Sequence, residues 1–304
     1  MRKTKSVMKN KSERFLTKFD RGRLIIAGGD RGQLFSIFIS SKAAKLTGCG
    51  MVVNVVPSKL ITTLETMNPM CKIYAADSIL DDKKMNFEAI KDLFRYSKAI
   101  ILGPGMEWKR KKKQRFTAFC LRQSHLSVII DGDALDMAKH NELLQKKGRK
   151  AKTVIVVANF NECVKLISSK TENRKHGEKN ERNKIVRKLC NFARVNSCYV
   201  LHKGYGFILF SPDGSIREFR VKSIPQMATA GMGDVLTAFM GGFIAKGLLP
   251  PEAVRSAIAL RQKAAELYLI ENPGCMTILP QNIISYAPMA FRKSRSVFSY
   301  KKGK

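Results

Sequence analysis

The chain has 304 residues, enough for one sizeable α/β domain, and its 44% hydrophobic content allows a packed core. Seven cysteines without a CxxC pair and only four histidines argue against a disulfide framework and against a metal held mainly by protein side chains. A formal charge of +32 raises nucleic-acid binding. Basic decoration of an enzyme that handles anionic substrates explains it as well and is preferred, because no zinc-finger, RNA-recognition or helix-turn-helix signature accompanies it.

Residues 1–22 are polar and basic and are expected to form a tail. Short apolar runs then recur at 24–27, 51–56, 99–102, 128–130, 154–157 and 198–201. Each is rich in Ile and Val and closed by Gly, Pro, Asn or Asp, the pattern of strands buried on both faces of a parallel sheet. Helical spacing fills 35–46, 87–96, 114–123 and 181–194, with a charged surface loop expected over 168–185. The segments 207–210 and 216–221, joined by Ser211-Pro212-Asp213-Gly214-Ser215, read as a hairpin. Helices over 234–246 and 251–270 follow, and 286–304 is expected to be a second basic tail. This alternation predicts one doubly wound α/β domain over 23–285, with ligands beyond the carboxyl ends of its strands.

The strongest local signal is Ala228-Thr229-Ala230-Gly231-Met232-Gly233-Asp234-Val235-Leu236. Its glycines let backbone N–H groups approach a ligand, and the apolar stretch after them reads as a helix start, so those donors lie at a positive helix end. A glycine turn capped by an acid, without chemistry, fits the same residues. Gly103-Pro104-Gly105 is a turn poor in side chains at a strand end. Asp131 and Asp133 leave a strand where they would face substrate hydroxyls or Mg2+ waters, or simply cap the next turn. Asn159 and Glu162 have the spacing of a capping box. Lys203-Gly204-Tyr205-Gly206-Phe207 leads from a strand into the hairpin.

Taken in order, Gly28-Gly29, Gly48-Cys49-Gly50, Gly103-Pro104-Gly105, Asp131-Gly132-Asp133, Asn159-Phe160-Asn161-Glu162, Lys203-Gly204 and the Asp234 loop resemble the NAD(P)H-hydrate dehydratases of the ribokinase-like superfamily, over about residues 24–280. The resemblance implies a mostly parallel sheet with helices on both faces. It implies repair of hydrated NADH or NADPH, by ADP- or ATP-dependent phosphorylation of the hydroxyl and loss of phosphate. Asp234 would be the general base and would also contact substrate, together with Ser36, Gly105 and Asn159. The nucleotide would lie along Lys203, Gly204, Tyr205, Gly206 and Phe207, with its phosphates on Gly231, Met232 and Gly233. Mg2+ would be held through water by Glu162.

The chain departs from the family pattern at several places. Phe35-Ser36 stand where Gly and Ala are usual, Asn159 where His is, Met232 where Ser is, and Glu107 where Gly is. A large Phe where backbone must approach a ligand is a steric obstacle, and the basic run 109–115 beside Gly105 would suit substrate phosphates or simply a solvated helix face. Two other readings compete: a ribokinase-like kinase acting without elimination, and a catalytically inactive relative whose basic surface binds nucleic acid. A separate epimerase acting in trans, assembly as a homo-oligomer and a cytoplasmic location are expected, with a mitochondrial leader as the alternative. No stretch approaches the roughly 18–20 consecutive apolar residues of a membrane span.

Overall fold

The computed structural model describes residues 17–79, 87–135, 144, 149–167, 179–204 and 206–293. Strands β1 (Arg23–Ala27), β2 (Met51–Val56), β3 (Lys72–Ala75), β4 (Ala99–Leu102), β5 (Ser127–Ile130), β6 (Thr153–Asn159), β7 (Tyr199–Lys203), β8 (Phe207–Phe210) and β9 (Ile216–Phe219) join in one sheet. Their spatial order is β3-β2-β1-β4-β5-β6-β7-β8-β9. Pairings from β3 to β7 are parallel, and the last two are antiparallel. The expected hairpin is that antiparallel end, with Phe207 opposite Phe219 and Phe210 opposite Ile216.

Side chains alternate across a strand, so a sheet buried on both faces feeds two cores. Leu24 and Ile26 pack into one, and Ile25 and Ala27 into the other. Helices α1 (Leu34–Leu46), α2 (Ile61–Met67) and α3 (Ala76–Ile79) connect the first strands, and α4 (Phe87–Arg95) and α5 (Arg110–Leu121) flank β4. Helices α6 (Phe160–Ile167) and α7 (Lys179–Val195) lie between β6 and β7. Helices α8 (Met232–Ala245), α9 (Pro250–Glu271) and α10 (Pro280–Lys293) close the chain. α8 is buried along almost its whole length and packs on α1, α9 and β4, which makes it the central pillar of one face.

Three features differ from the expected pattern. β3 is an additional edge strand, half-exposed and without an apolar run. Residues 179–185 of the expected surface loop belong to α7. α10 runs on to Lys293 and buries Ala287 and Ala290, so the packed chain continues past residue 285 into the expected tail. Residues 1–16 and 294–304 of the two tails lie outside the described residues. Among the described residues, no helix is long and apolar enough to cross a membrane.

Candidate functional site

The site is assembled at the carboxyl ends of β5, β6 and β7 and the start of α8. Lys203, the last residue of β7, donates from Nζ to Asp131 Oδ1 at 2.7 Å across the end of β6. Asp131 is almost fully buried; its Oδ1 also accepts the Gly132 N–H at 2.8 Å, and its Oδ2 accepts the Thr237 hydroxyl from α8. Both carboxylate oxygens are therefore occupied within the protein. Asp131 caps the turn after β5 and serves as counter-ion to Lys203; Asp133 is the exposed acid of the pair. Burial opposes the charge on Lys203, but Asp131, Glu162 and Asp234 outweigh it and hold the amine above its ordinary value.

Gly231 caps α8 in the left-handed region at φ 86°, a conformation open to glycine at little steric cost. The first N–H groups of any helix lack intrahelical acceptors, so the 231–234 turn presents donors at the positive end of a buried fourteen-residue helix. Asp234 stands in that first turn. Burial pushes its carboxyl up to about 7, with Asp131 adding repulsion; a hydrogen bond with Ser36 and the charge of Lys203 pull in the opposite direction. A carboxyl near neutrality beside an anion-binding turn is suited to proton abstraction at physiological pH. Asp234, Ser36, Lys203 and Gly231–Gly233 are thus brought together: a Cβ on Gly233 would stand 3.4 Å from Lys203 Nζ.

Asn159 ends β6 opposite Lys203 and forms a reciprocal cap with Glu162. The Glu162 N–H donates to Asn159 Oδ1 at 2.9 Å, and the Asn159 N–H to Glu162 Oε2 at 2.6 Å. Burial raises the Glu162 carboxyl above its ordinary value, and the Asn159 N–H and Lys203 offset it in part. No cluster of three or more His, Cys, Asp or Glu able to hold a metal exists among the described residues. The donor set therefore fits only a cation that keeps most of its waters, as Mg2+ does.

The opposite wall is made by backbone contact. Gly29 N donates to Pro104 O at 2.8 Å, and Trp108 Nε1 to Gly29 O at 2.9 Å. Gly105, at φ 58°, faces Gln33, whose Cβ would lie 2.6 Å from an added Cβ. Glu107 is engaged by Gln33 Nε2 at 3.0 Å. Phe35 is 42% exposed, and its ring edge lies 3.0 Å from a Cβ placed on Gly231, so it flanks the phosphate turn instead of closing the glycine pocket. In the basic run, Lys113 Nζ donates to the Asp133 carbonyl and Lys112 pairs with Asp77, which ties α5 to neighbouring strand ends.

Gly204 donates to Gly206 O at 3.0 Å and closes the β7–β8 turn; Tyr205 lies outside the described residues. The Phe207 side chain is buried, which leaves only its backbone for a ligand. Two residues of this region gave no motif signal. Thr237 lies one turn beyond Asp234. Arg261 of α9 sits over the Phe207 ring at 5.0 Å, with NH1 3.5 Å from Met232 O, and burial lowers its guanidinium to about 10. A basic residue inside the apolar face of a long helix was its only visible mark. Beside it, Phe219, Val221, Lys222, Ile258 and Gln262 line an open groove of about 410 Å³.

A mostly parallel sheet with an anion turn opening a buried helix at its carboxyl edge is the ribokinase-like architecture, and solved structures of that class share it. A ribokinase-like superfamily protein from Enterococcus faecalis V583 matches with TM-score 0.72 and 19% identity, over 94% of this chain and 91% of that one. The ADP/ATP-dependent NAD(P)H-hydrate dehydratase of Bacillus subtilis, co-crystallised with ATP and Mg2+, matches with TM-score 0.70 and 20% identity, over 94% and 93%. The chain belongs to the NAD(P)H-hydrate dehydratase family, whose model matches residues 24–289. A bifunctional NAD(P)H-hydrate repair enzyme of Thermofilum pendens is 25% identical over 291 residues, 92% of this chain and 52% of the relative. An ADP-dependent (S)-NAD(P)H-hydrate dehydratase of Lactiplantibacillus plantarum is 26% identical over 255 residues, 82% and 81%. The chain spans about half the length of the bifunctional relatives it matches.

Proposed function

We propose that the protein restores hydrated NADH or NADPH to the intact cofactor, using ADP or ATP to phosphorylate the hydroxyl and then releasing phosphate. The observation that carries this reading is Asp234, a carboxyl raised to about 7 at the mouth of the α8 phosphate turn, in a chain of this family. Asp234 takes the hydroxyl proton as the substrate oxygen bonds to phosphorus and the bond from that phosphorus to the nucleotide breaks. The N–H groups of residues 231–234 stabilise charge developing on the transferred group. Departure of the phosphate with its C–O bond, and loss of a ring proton, then restores the nicotinamide double bond.

Lys203, held charged by Asp131, stands beside the same turn as a fixed cation for the phosphates. The groove beside β9 combines Phe219, Val221 and Ile258 with Arg220, Lys222, Arg255 and Lys263, a mixed lining that would suit an anionic nucleotide. Mg2+, when bound, neutralises phosphate charge, and Glu162 is the residue that would hold it through water. The test is to incubate the protein with Mg2+, either nucleotide and hydrated NADH. Recovery of NADH absorbance with release of phosphate supports the reading, whereas a stable phosphorylated product would assign a kinase and overturn it.

A further inference from the structure

The catalytic groups occupy the carboxyl ends of the strands; the amino ends, one strand length away, carry a different surface. Leu24, Ala99, Ser127 and Thr153 are in register across β1, β4, β5 and β6, so Arg23, Lys98 and Lys152, each one residue earlier, fall on one row. Backbone bonds fix that row: Lys98 N to Arg23 O at 3.0 Å, Ser127 N to Lys98 O at 2.9 Å and Lys152 N to Leu126 O at 2.9 Å. Lys98 and Lys152 are exposed. The turn before β1 adds Lys18 and Arg21, tied to the start of β2 by Gly50 N to Arg21 O at 3.3 Å.

On this basic face stand two half-exposed rings, Phe19 at 51% and Tyr96 at 50%. Their centroids are 6.2 Å apart at a 50° tilt. The Arg23 guanidinium lies 5.8 Å from the first ring and 5.6 Å from the second. Lys18 Nζ covers Phe19 at 5.3 Å, and Arg95 covers Tyr96 at 5.6 Å. Arg23 donates to the Asp92 carbonyl, and its Nε is buried without a partner. Of the nearby acids, Asp20 accepts the N–H and hydroxyl of Thr17, and Asp92 sits in the last turn of α4.

Exposed rings set among cations are the chemistry that stacks on nucleobases while the cations take the phosphates. We infer that this face binds single-stranded RNA, independently of the catalytic site. A second copy of the chain would bring like charges together. A membrane surface would take the cations, whereas two rings in contact with cations on their faces suit stacked bases. Among single-stranded polyanions, RNA is the standing one, since DNA is mostly duplex.

The test is fluorescence anisotropy of the full chain with a labelled single-stranded RNA across a KCl series, beside a duplex and a single-stranded DNA of the same sequence. The expected result is tighter binding of single-stranded RNA than of either, weakening as salt rises. Phe19→Ala with Tyr96→Ala should weaken it roughly tenfold or more at an unchanged salt slope, because stacking carries no counterion. Lys98→Glu with Lys152→Glu should flatten the slope of log K against log[KCl] by about 0.7 for each phosphate no longer neutralised. Saturating ADP should displace none of the RNA, and both double variants should keep the turnover of the parent. Equal binding of the duplex, preference for DNA, or indifference to the loss of both rings would overturn the inference, as would capture by phosphatidylserine vesicles without RNA binding.

Discussion

The two walls of the site are built by different means. On the phosphate side, side chains far apart in sequence are locked by charge: Lys203 reaches Asp131, and Asp131 reaches Thr237. On the opposite side, segments meet mainly through backbone, with Gly29 on Pro104 and Gly105 on Gln33. Charge locking fixes the place of Lys203 beside the turn before α8 but tolerates little exchange, since removing one partner strands the other in low dielectric. Backbone contact fixes shape, and side chains around it can change size without unpaired charge. Of the departures from the family pattern, Glu107 falls on the second wall, whereas Phe35 and Met232 stand at the turn before α8 and Asn159 at the end of β6.

Substitutions can break or sharpen that contrast. Asp234→Asn keeps the shape and removes the base, so turnover should fall about 10²–10⁴-fold in the hydrated-NADH assay. Stability should move the other way. The native carboxyl titrates near 7 and an unfolded one near 3.9, so the native state binds more protons between those values and loses stability as pH rises through them. The melting temperature of the variant should therefore gain on the parent from about pH 4 to 7 and hold that gain above. For the parent, kcat/KM should climb with a midpoint near pH 7 as Asp234 ionises.

Lys203→Met leaves Asp131 buried and unpaired and should cost about 3–5 kcal/mol in denaturant unfolding. Adding Asp131→Asn should return part of that stability without returning activity, which separates the lock from the cation it holds. On the substrate wall, Gly105→Ala puts a side chain into the left-handed region against Gln33 and should cost about 1–2 kcal/mol. Its KM for hydrated NADH should rise more than kcat falls. The smallest effect is expected for Phe35→Ala, with stability within about 0.5 kcal/mol and at most a few-fold change in KM. A large loss of kcat there would show that the ring beside Gly231 helps to hold the turn.

Local pattern carried most of the fold and part of the site. Ile- and Val-rich runs marked the interior strands because strands buried on both faces need no polar alternation. β3 escaped because an edge strand with Lys72 and Tyr74 half in solvent needs no such run. α10 escaped because its interior contains Pro288 and its end is basic, both of which read as a tail. In the site, the Asp234 turn was legible because a helix start and its glycines are local. The bond from Lys203 to Asp131, 72 residues apart, was not, since only the strand order brings those ends together. Arg261 was hidden for the same reason, its place over Phe207 being set by how α9 docks on the sheet.

One contact of that late segment bears on the protein's birth. Pro280 Cγ lies 2.9 Å from where a Cβ on Gly231 would stand, Thr229 donates to Ile278 O at 2.9 Å, and Ile278 N donates to Gln226 O at 2.8 Å. The phosphate turn is thus braced by residues that leave the ribosome some fifty positions after it, by the span from Gly231 to Pro280. A chain ending before residue 278 would lack those braces, so the turn proposed to act in catalysis depends on a segment synthesised after every strand of the sheet.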